Sequence, residues 1–144
     1  MAFLDSTVLV ASVDADEPQH EASARVLTAG PHHIYSHALA ETFSALTGGR
    51  LARRLPPKLA ASLIQKSVLP YTTVQSLSPK ELMLALLDCE QRGVRGGAIY
   101  DWLHLAAARK AKAEVFYTLN LRDFQALARP GDPTISLPDE RGAR

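Results

Sequence analysis

Asp5, Glu41, Asp101 and Asp123 are the residues of this chain best placed to do chemistry. Each falls where a strand would end or inside an otherwise apolar helical stretch. A carboxylate in such a place is costly to bury unless a cation compensates it. Gathered at one point, the four would make an oxygen-lined pocket suited to Mg²⁺ or Mn²⁺, hard cations that prefer oxygen ligands and keep several waters. An ion held there would lower the pKa of a bound water and offset charge developing on phosphoryl oxygens, which are the needs of phosphodiester cleavage. Each acid also has a plainer reading. Asp5 suits a helix cap, worth about 1 kcal/mol. Glu41 lies opposite the apolar stripe of Leu39, Phe43 and Leu46, as a surface glutamate would. Asp101 would share the one wet stripe of its helix with Lys112, and Asp123 could cap a short helix beginning at Phe124.

The elements that must position these acids alternate between strand and helix. Ala2–Leu4 reads as a buried strand, and Ser6 or Thr7 can cap a helix over Val8–Val13. A second helix runs from His20 to Ala29, where Gly30-Pro31 stops it. Ile34-Tyr35 makes a strand, Ser36 is placed to cap a helix over His37–Leu46, and Gly48-Gly49 ends it. Pro56 or Pro57 opens a helix to about Lys66, followed by the β-branched strand Thr72–Val74. Ser78-Pro79-Lys80-Glu81 has the pattern of a capping box, with proline at the first helical position and a helix to Arg92. Gly93–Gly97 is a connector and Ala98–Lys112 the strongest helical segment. Val115–Tyr117 is a strand, Asn120–Asp123 a turn, Phe124–Ala128 a short helix and Thr134–Ser136 an edge strand. This alternation argues for a parallel sheet covered on both faces. In such sheets the active crevice lies beyond the carboxyl ends of the strands. Asp5 and Asp123, each just past a strand, are therefore expected at one crevice.

Composition narrows the function classes. The 144 residues suit one domain, and 47% apolar with 22% charged residues is an ordinary globular balance that can build a core. A formal net charge of +1 gives no bulk attraction for a polyanion, so contacts with nucleic acid would rest on local patches. Cys89 is the only cysteine, which rules out an intrachain disulfide and a multi-cysteine zinc site. The amino terminus has no basic stretch and carries an acid at position 5, unlike a secretory signal. No apolar run approaches the ~20 residues of a spanning helix. A soluble, intracellular protein without a membrane partner is expected.

Other residue clusters point less firmly to chemistry. His32, His33 and His37 gather around the second strand and His20 stands apart, with no H-E-x-x-H pattern for zinc. His104, three residues after Asp101, lies on a neighbouring helical face, where it could touch substrate but reads first as a packing residue. Ser6 and Thr7 lack a base partner for nucleophilic work, and Cys89 falls in the apolar register near Leu86 and Leu87. Arg50, Arg53, Arg54 and Lys58 form the clearest basic patch, while Arg122 beside the proposed pocket is a better single phosphate contact.

Four segments also occur in order and at suitable spacing: Phe3-Leu4-Asp5-Ser6-Thr7-Val8-Leu9, Ala40-Glu41, Tyr100-Asp101-Trp102-Leu103-His104-Leu105-Ala106-Ala107-Ala108, and Thr118-Leu119-Asn120-Leu121-Arg122-Asp123-Phe124. Together they resemble the PIN-domain family, and most closely its VapC-type toxin ribonucleases. The likeness implies a three-layer α/β/α PIN-like fold with a central, mostly parallel sheet of four to five strands. One domain would span residues 1–138, with 139–144 as a charged tail. It implies a cytoplasmic endoribonuclease dependent on Mg²⁺, with Mn²⁺ as a substitute, acting as the toxin of a toxin–antitoxin pair. RNA would be the substrate, a cognate antitoxin would cover the acidic pocket with its tail, and the protein would form a homodimer.

By the same resemblance Asp5, Glu41 and Asp101 match the three acidic metal positions and Asp123 a fourth, more variable one. Asp5 and Asp101 would be principal ligands, Glu41 and Asp123 additional or water-mediated ones. Thr118 and Asn120 fall near the site, and Thr7 matches a position that helps hold the first aspartate; with Arg122 these are the substrate-side candidates. The family often has an acid where Asn120 stands, so Asp123 is the only carboxylate of that turn. Two alternatives stand beside this reading. Asp5-Ser6-Thr7-Val8-Leu9 is loosely similar to the first motif of haloacid-dehalogenase phosphatases, but Thr7 stands where their second aspartate belongs. A degenerate PIN-like protein-binding module is the other.

Overall fold

Phe3 and Leu4 are consecutive, both fully buried, and belong to different apolar clusters on opposite faces of one sheet. That alternation along β1 (Ala2–Leu4) fixes the layering of the molecule. The computed structural model describes residues 1–48 and 54–138. In it β1 lies at the centre of a five-stranded sheet with β2 (His32–Tyr35), β3 (Thr72–Gln75), β4 (Val115–Tyr117) and β5 (Thr134–Ser136). The order is β3-β2-β1-β4-β5. Every described pairing is parallel, with Phe3 aligned to His33 on one side and Phe116 on the other. The expected sheet was mostly parallel; among the described residues it is wholly so.

Helices α1 (Ser6–Val13), α2 (His20–Thr28), α3 (His37–Thr47) and α4 (Pro57–Leu63) cover one face of the sheet. Val8, Leu9, Val26, Leu27, Ala38 and Leu46 pack there against Leu4 and Ile34. Helices α5 (Pro79–Arg92), α6 (Ala98–Lys110) and α7 (Leu121–Leu127) cover the other. Trp102, Leu105 and Phe124 pack there on Phe3 and Phe116, whose rings stack 5.5 Å apart. The Trp102 indole is buried and donates to the Ala85 carbonyl at 3.0 Å, tying α6 to α5. Half-buried Cys89 packs against this same cluster and is a free thiol.

Several local expectations needed correction. The first helix begins at Ser6, and its cap is Asp5, whose Oδ1 accepts from the amides of Thr7 and Val8. Neither Ser6 nor Thr7 plays that part. Ser36 does not cap α3 either, because its backbone is already helical (φ −54, ψ −36) and its hydroxyl makes no capping bond. The helix expected to run to Lys66 is α-helical only to Leu63 and widens into a π turn over Ile64–Val68. Asp123 lies inside the first turn of α7 and caps nothing. The capping box is present as read: Glu81 N bonds Ser78 Oγ at 3.1 Å and Ser78 N bonds the Glu81 carboxylate at 2.8 Å. Gly93 closes α5 in the left-handed region at φ 67, where a side chain would be strained. Arg50 and Arg53 of the basic patch, Gly49, and the tail at 139–144 lie outside the described residues.

Candidate active site

The sequence of strands in the sheet places the crevice. From β1 the chain adds β2 and β3 to one side, then returns to place β4 on the other side of β1. A parallel sheet opens at such a reversal, beyond the carboxyl ends of the two strands. Those ends are Asp5 after β1 and Thr118 after β4. The Thr118 hydroxyl donates to Asp5 Oδ2 at 2.6 Å, and the Thr7 hydroxyl donates to Oδ1 at 2.5 Å. Each hydroxyl also accepts a backbone N–H at 2.9 Å, Thr118 from Asn120 and Thr7 from Leu119. Thr7 and Thr118, expected on the substrate side, are therefore engaged within the protein, holding Asp5. Asp5 is 3% exposed, and burial pushes its carboxyl pKa up against the opposing pull of His104 and its four hydrogen-bond donors.

Asp101 has no such support. It lies in the first turn of α6, half-buried, with no side-chain hydrogen bond among the described residues. Burial is the largest cause raising its pKa, His104 opposes, and Asp5, Asp123 and Glu41 each raise it further, to about 6. The fold has thus brought the other three acids within electrostatic reach of Asp101. Glu41 is placed by α3, where His104 Nε2 donates to its Oε1 at 2.5 Å and His37 Nδ1 lies 3.7 Å away. Burial pushes the Glu41 carboxyl up, but His104 and His37 outweigh it and hold it below the usual range. Asp123 is exposed on α7.

Among the described residues, no three side chains of the metal-binding types stand close enough to enclose an ion unaided. A hydrated Mg²⁺ does not require that, since one or two carboxylates and its own waters complete its shell. The donor set fits such an ion. It is all oxygen, and its least supported member, Asp101, is the group a cation would relieve most. Open clefts flank the acids on both sides. One of about 310 Å³ is bounded by Thr7, Val10, Glu41 and Ala45, and another of about 400 Å³ by Gly97, Ala98, Asp101 and Asp123.

Of the remaining candidates, Arg122 is exposed beside Asp123 and has no ion-pair partner among the described residues. Asn120 precedes α7 without a side-chain capping bond. The residue that sequence reasoning missed is His104. It is 2% exposed and bonded to Glu41, which corrects its reading as a packing residue. Its signal was visible: a histidine one turn from Asp101 in an apolar helix needs a polar partner.

The chain matches the PIN domain over residues 2–130. It is 34% identical over 136 residues to ribonuclease VapC40 of Mycobacterium tuberculosis, covering 87% of this chain and 90% of that protein. Ribonuclease VapC27 of the same organism is 37% identical over 101 residues, covering 67% of this chain and 70% of its own. Among solved structures, the M. tuberculosis toxin VapC20, described as cleaving the sarcin–ricin loop, superposes with a TM-score of 0.68 at 21% identity, over 90% of this chain and 100% of that one. VapBC2 from Rickettsia felis, solved on a promoter DNA fragment, gives 0.63 at 16% identity, over 96% and 98%. The matched span takes in all four acids and sets aside the phosphatase alternative. On the fold and these relatives, the chain belongs to the PIN-domain family and is similar within it to the VapC ribonucleases.

Proposed function

We propose that this protein is a Mg²⁺-dependent endoribonuclease, with Mn²⁺ as a substitute, that hydrolyses RNA phosphodiester bonds as the toxin of a toxin–antitoxin pair. The observation that carries the reading is Asp101, a half-buried carboxyl without a hydrogen-bond partner, pushed up to about 6 by burial and three surrounding acids. Asp5 and Asp101 would hold the ion directly, and Glu41 and Asp123 directly or through water. Three donors already meet Asp5 Oδ1, so Oδ2, with Thr118 alone, is the oxygen it has to offer. When bound, the ion supplies a water of lowered pKa and offsets charge on the phosphoryl oxygens. Arg122, exposed at the rim, would meet a backbone phosphate. The curated relatives named as ribonucleases support the RNA substrate.

The antitoxin partner is supported by neighbours solved as toxin–antitoxin complexes, including one from Klebsiella pneumoniae. A cytoplasmic location suits that substrate, and no helix among the described residues is long and apolar enough to cross a membrane. A homodimer is proposed as well. Four exposed apolar side chains, Met83, Leu84, Leu86 and Leu87, stand together on α5, and Leu59 is exposed on α4. The reading is tested by incubating purified protein with total RNA and mapping the new ends. Cleavage in Mg²⁺ that disappears in chelator and in Asp101→Asn is expected. Cleavage that survives both would overturn it.

A further inference from the structure

We propose that His104 is the positioning residue of the acid cluster: by donating from Nε2 to Glu41 Oε1 it fixes that side chain and leaves Oε2, which meets no donor among the described residues, free to meet a cation. The catalytic consequence rests on the ribonuclease reading above; the geometry does not.

His104 is 2% exposed, and its ring touches three other elements. Tyr35, at the end of β2, meets it edge-on with centroids 5.4 Å apart and planes at 79°. Phe124 of α7 meets it at 6.4 Å and 88°. Glu41 of α3 accepts its N–H at 2.5 Å. The ring therefore cannot turn without disturbing packing on both flanks. Phe124 follows Asp123 in sequence, and Asp101 lies one helical turn before His104. One imidazole thus joins the segments that carry Glu41, Asp101 and Asp123.

Filling space does not account for this residue. Its Nδ1 is buried and has no hydrogen-bond partner. An orphaned buried nitrogen costs free energy that a leucine or phenylalanine at the same position would avoid. What an apolar side chain cannot supply is the donor to Glu41. The glutamate needs one, because its side chain is 25% exposed and would otherwise sample several rotamers toward solvent. Groups that orient a metal-binding side chain in this way commonly change metal affinity or activity by about 10–100-fold when removed.

The test uses the full chain and begins without metal. Nitrogen-15 spectra of the imidazoles should show an Nε2 proton on His104 protected from exchange, and Glu41→Ala should abolish the protection. Calorimetry with Mn²⁺ alone should show His104→Phe binding about 10–100-fold more weakly than wild type, with His104→Gln, whose amide reaches the Nε2 position, within about threefold. On a short RNA the loss in His104→Phe should fall on kcat and leave KM unchanged. Wild-type Mn²⁺ affinity in His104→Phe would overturn the proposal, as would a folded His104→Gln no better than His104→Phe. If circular dichroism finds His104→Phe unfolded, His104→Asn replaces it, since its amide reaches only the Nδ1 position; equal affinities for the Gln and Asn variants would then overturn it. Wild-type protein that binds Mn²⁺ but cleaves no RNA removes the ribonuclease reading and leaves the positioning role standing. Absence of the protected proton in wild type removes the positioning role alone.

Discussion

Thr118 donates its hydroxyl proton to Asp5 Oδ2 at 2.6 Å although 113 residues separate them in the chain. The bond crosses the point where the strand order reverses, so it joins the two halves of the sheet at the mouth of the acid cluster. Replacing Thr118 by valine keeps its shape, removes one donor from a buried carboxylate and leaves the Asn120 amide without its acceptor. A loss of about 1–3 kcal/mol is expected in urea denaturation, with serine largely restoring it. An unchanged midpoint for the valine variant would contradict the role given to this contact.

Asp101 makes the metal-free protein lose stability as pH rises from acid toward neutrality. Its folded pKa is raised to about 6, above that of the unfolded chain, so the native state binds more protons in the interval between them. Stability then falls as pH rises through that window and levels off above it. Thermal melts in chelator should show a decline from about pH 4 to 7. Asp101→Asn should make the decline shallower, leaving the part due to Asp5, whose pKa burial also raises, and Mg²⁺ should raise the neutral end. A decline undiminished in Asp101→Asn would assign it to other groups.

Asp132 behaves in the opposite sense. Burial pushes its carboxyl up, but Arg109 outweighs it through two hydrogen bonds, at 2.6 and 2.9 Å, and holds it below the usual range. A depressed carboxylate stabilises the fold above its unfolded pKa and loses that contribution as pH falls through its folded one. Arg109→Met should cost about 2–4 kcal/mol near neutral pH, with the difference from wild type shrinking in strong acid. Equal losses at both ends of the range would point to lost packing against Trp102, over whose ring the Arg109 guanidinium lies at 4.7 Å.

Arg122 provides a test of the RNA path. If it meets one backbone phosphate, Arg122→Ala should weaken binding of unrelated single-stranded RNAs alike and lower the slope of log affinity against log salt by about 0.7. Filter binding in Ca²⁺ at several salt concentrations would measure it. An unaltered slope would place the strand elsewhere on the surface.

Much of this was legible along the chain. The capping box at Ser78, the apolar run of β1 and the alanine-rich α6 each act within a few residues, where helical or strand spacing alone decides the outcome. The order of strands and helices then limited the topology, and the four motif segments named the family. The helix starts were read less well. Ser6, Thr7 and Ser36 all have the right chemistry for a cap, but a cap also requires a backbone leaving the extended region; at the start of α1 that residue is Asp5 (φ −90, ψ 176), and Ser36 is already helical.

The acids differ in the same way. Residue order does not tell which carboxylate is supported and which is left bare, because carboxylates look alike until their neighbours are known. Asp5 received four donors from residues as distant as Thr118, Glu41 received His104 from 63 positions away, and Asp101 received none. Residue type and order determined that this chain would fold as a parallel α/β sheet with acids at its carboxyl edge. The tertiary structure decided what each acid faces, because burial, hydrogen bonds and charges act through space rather than along the chain.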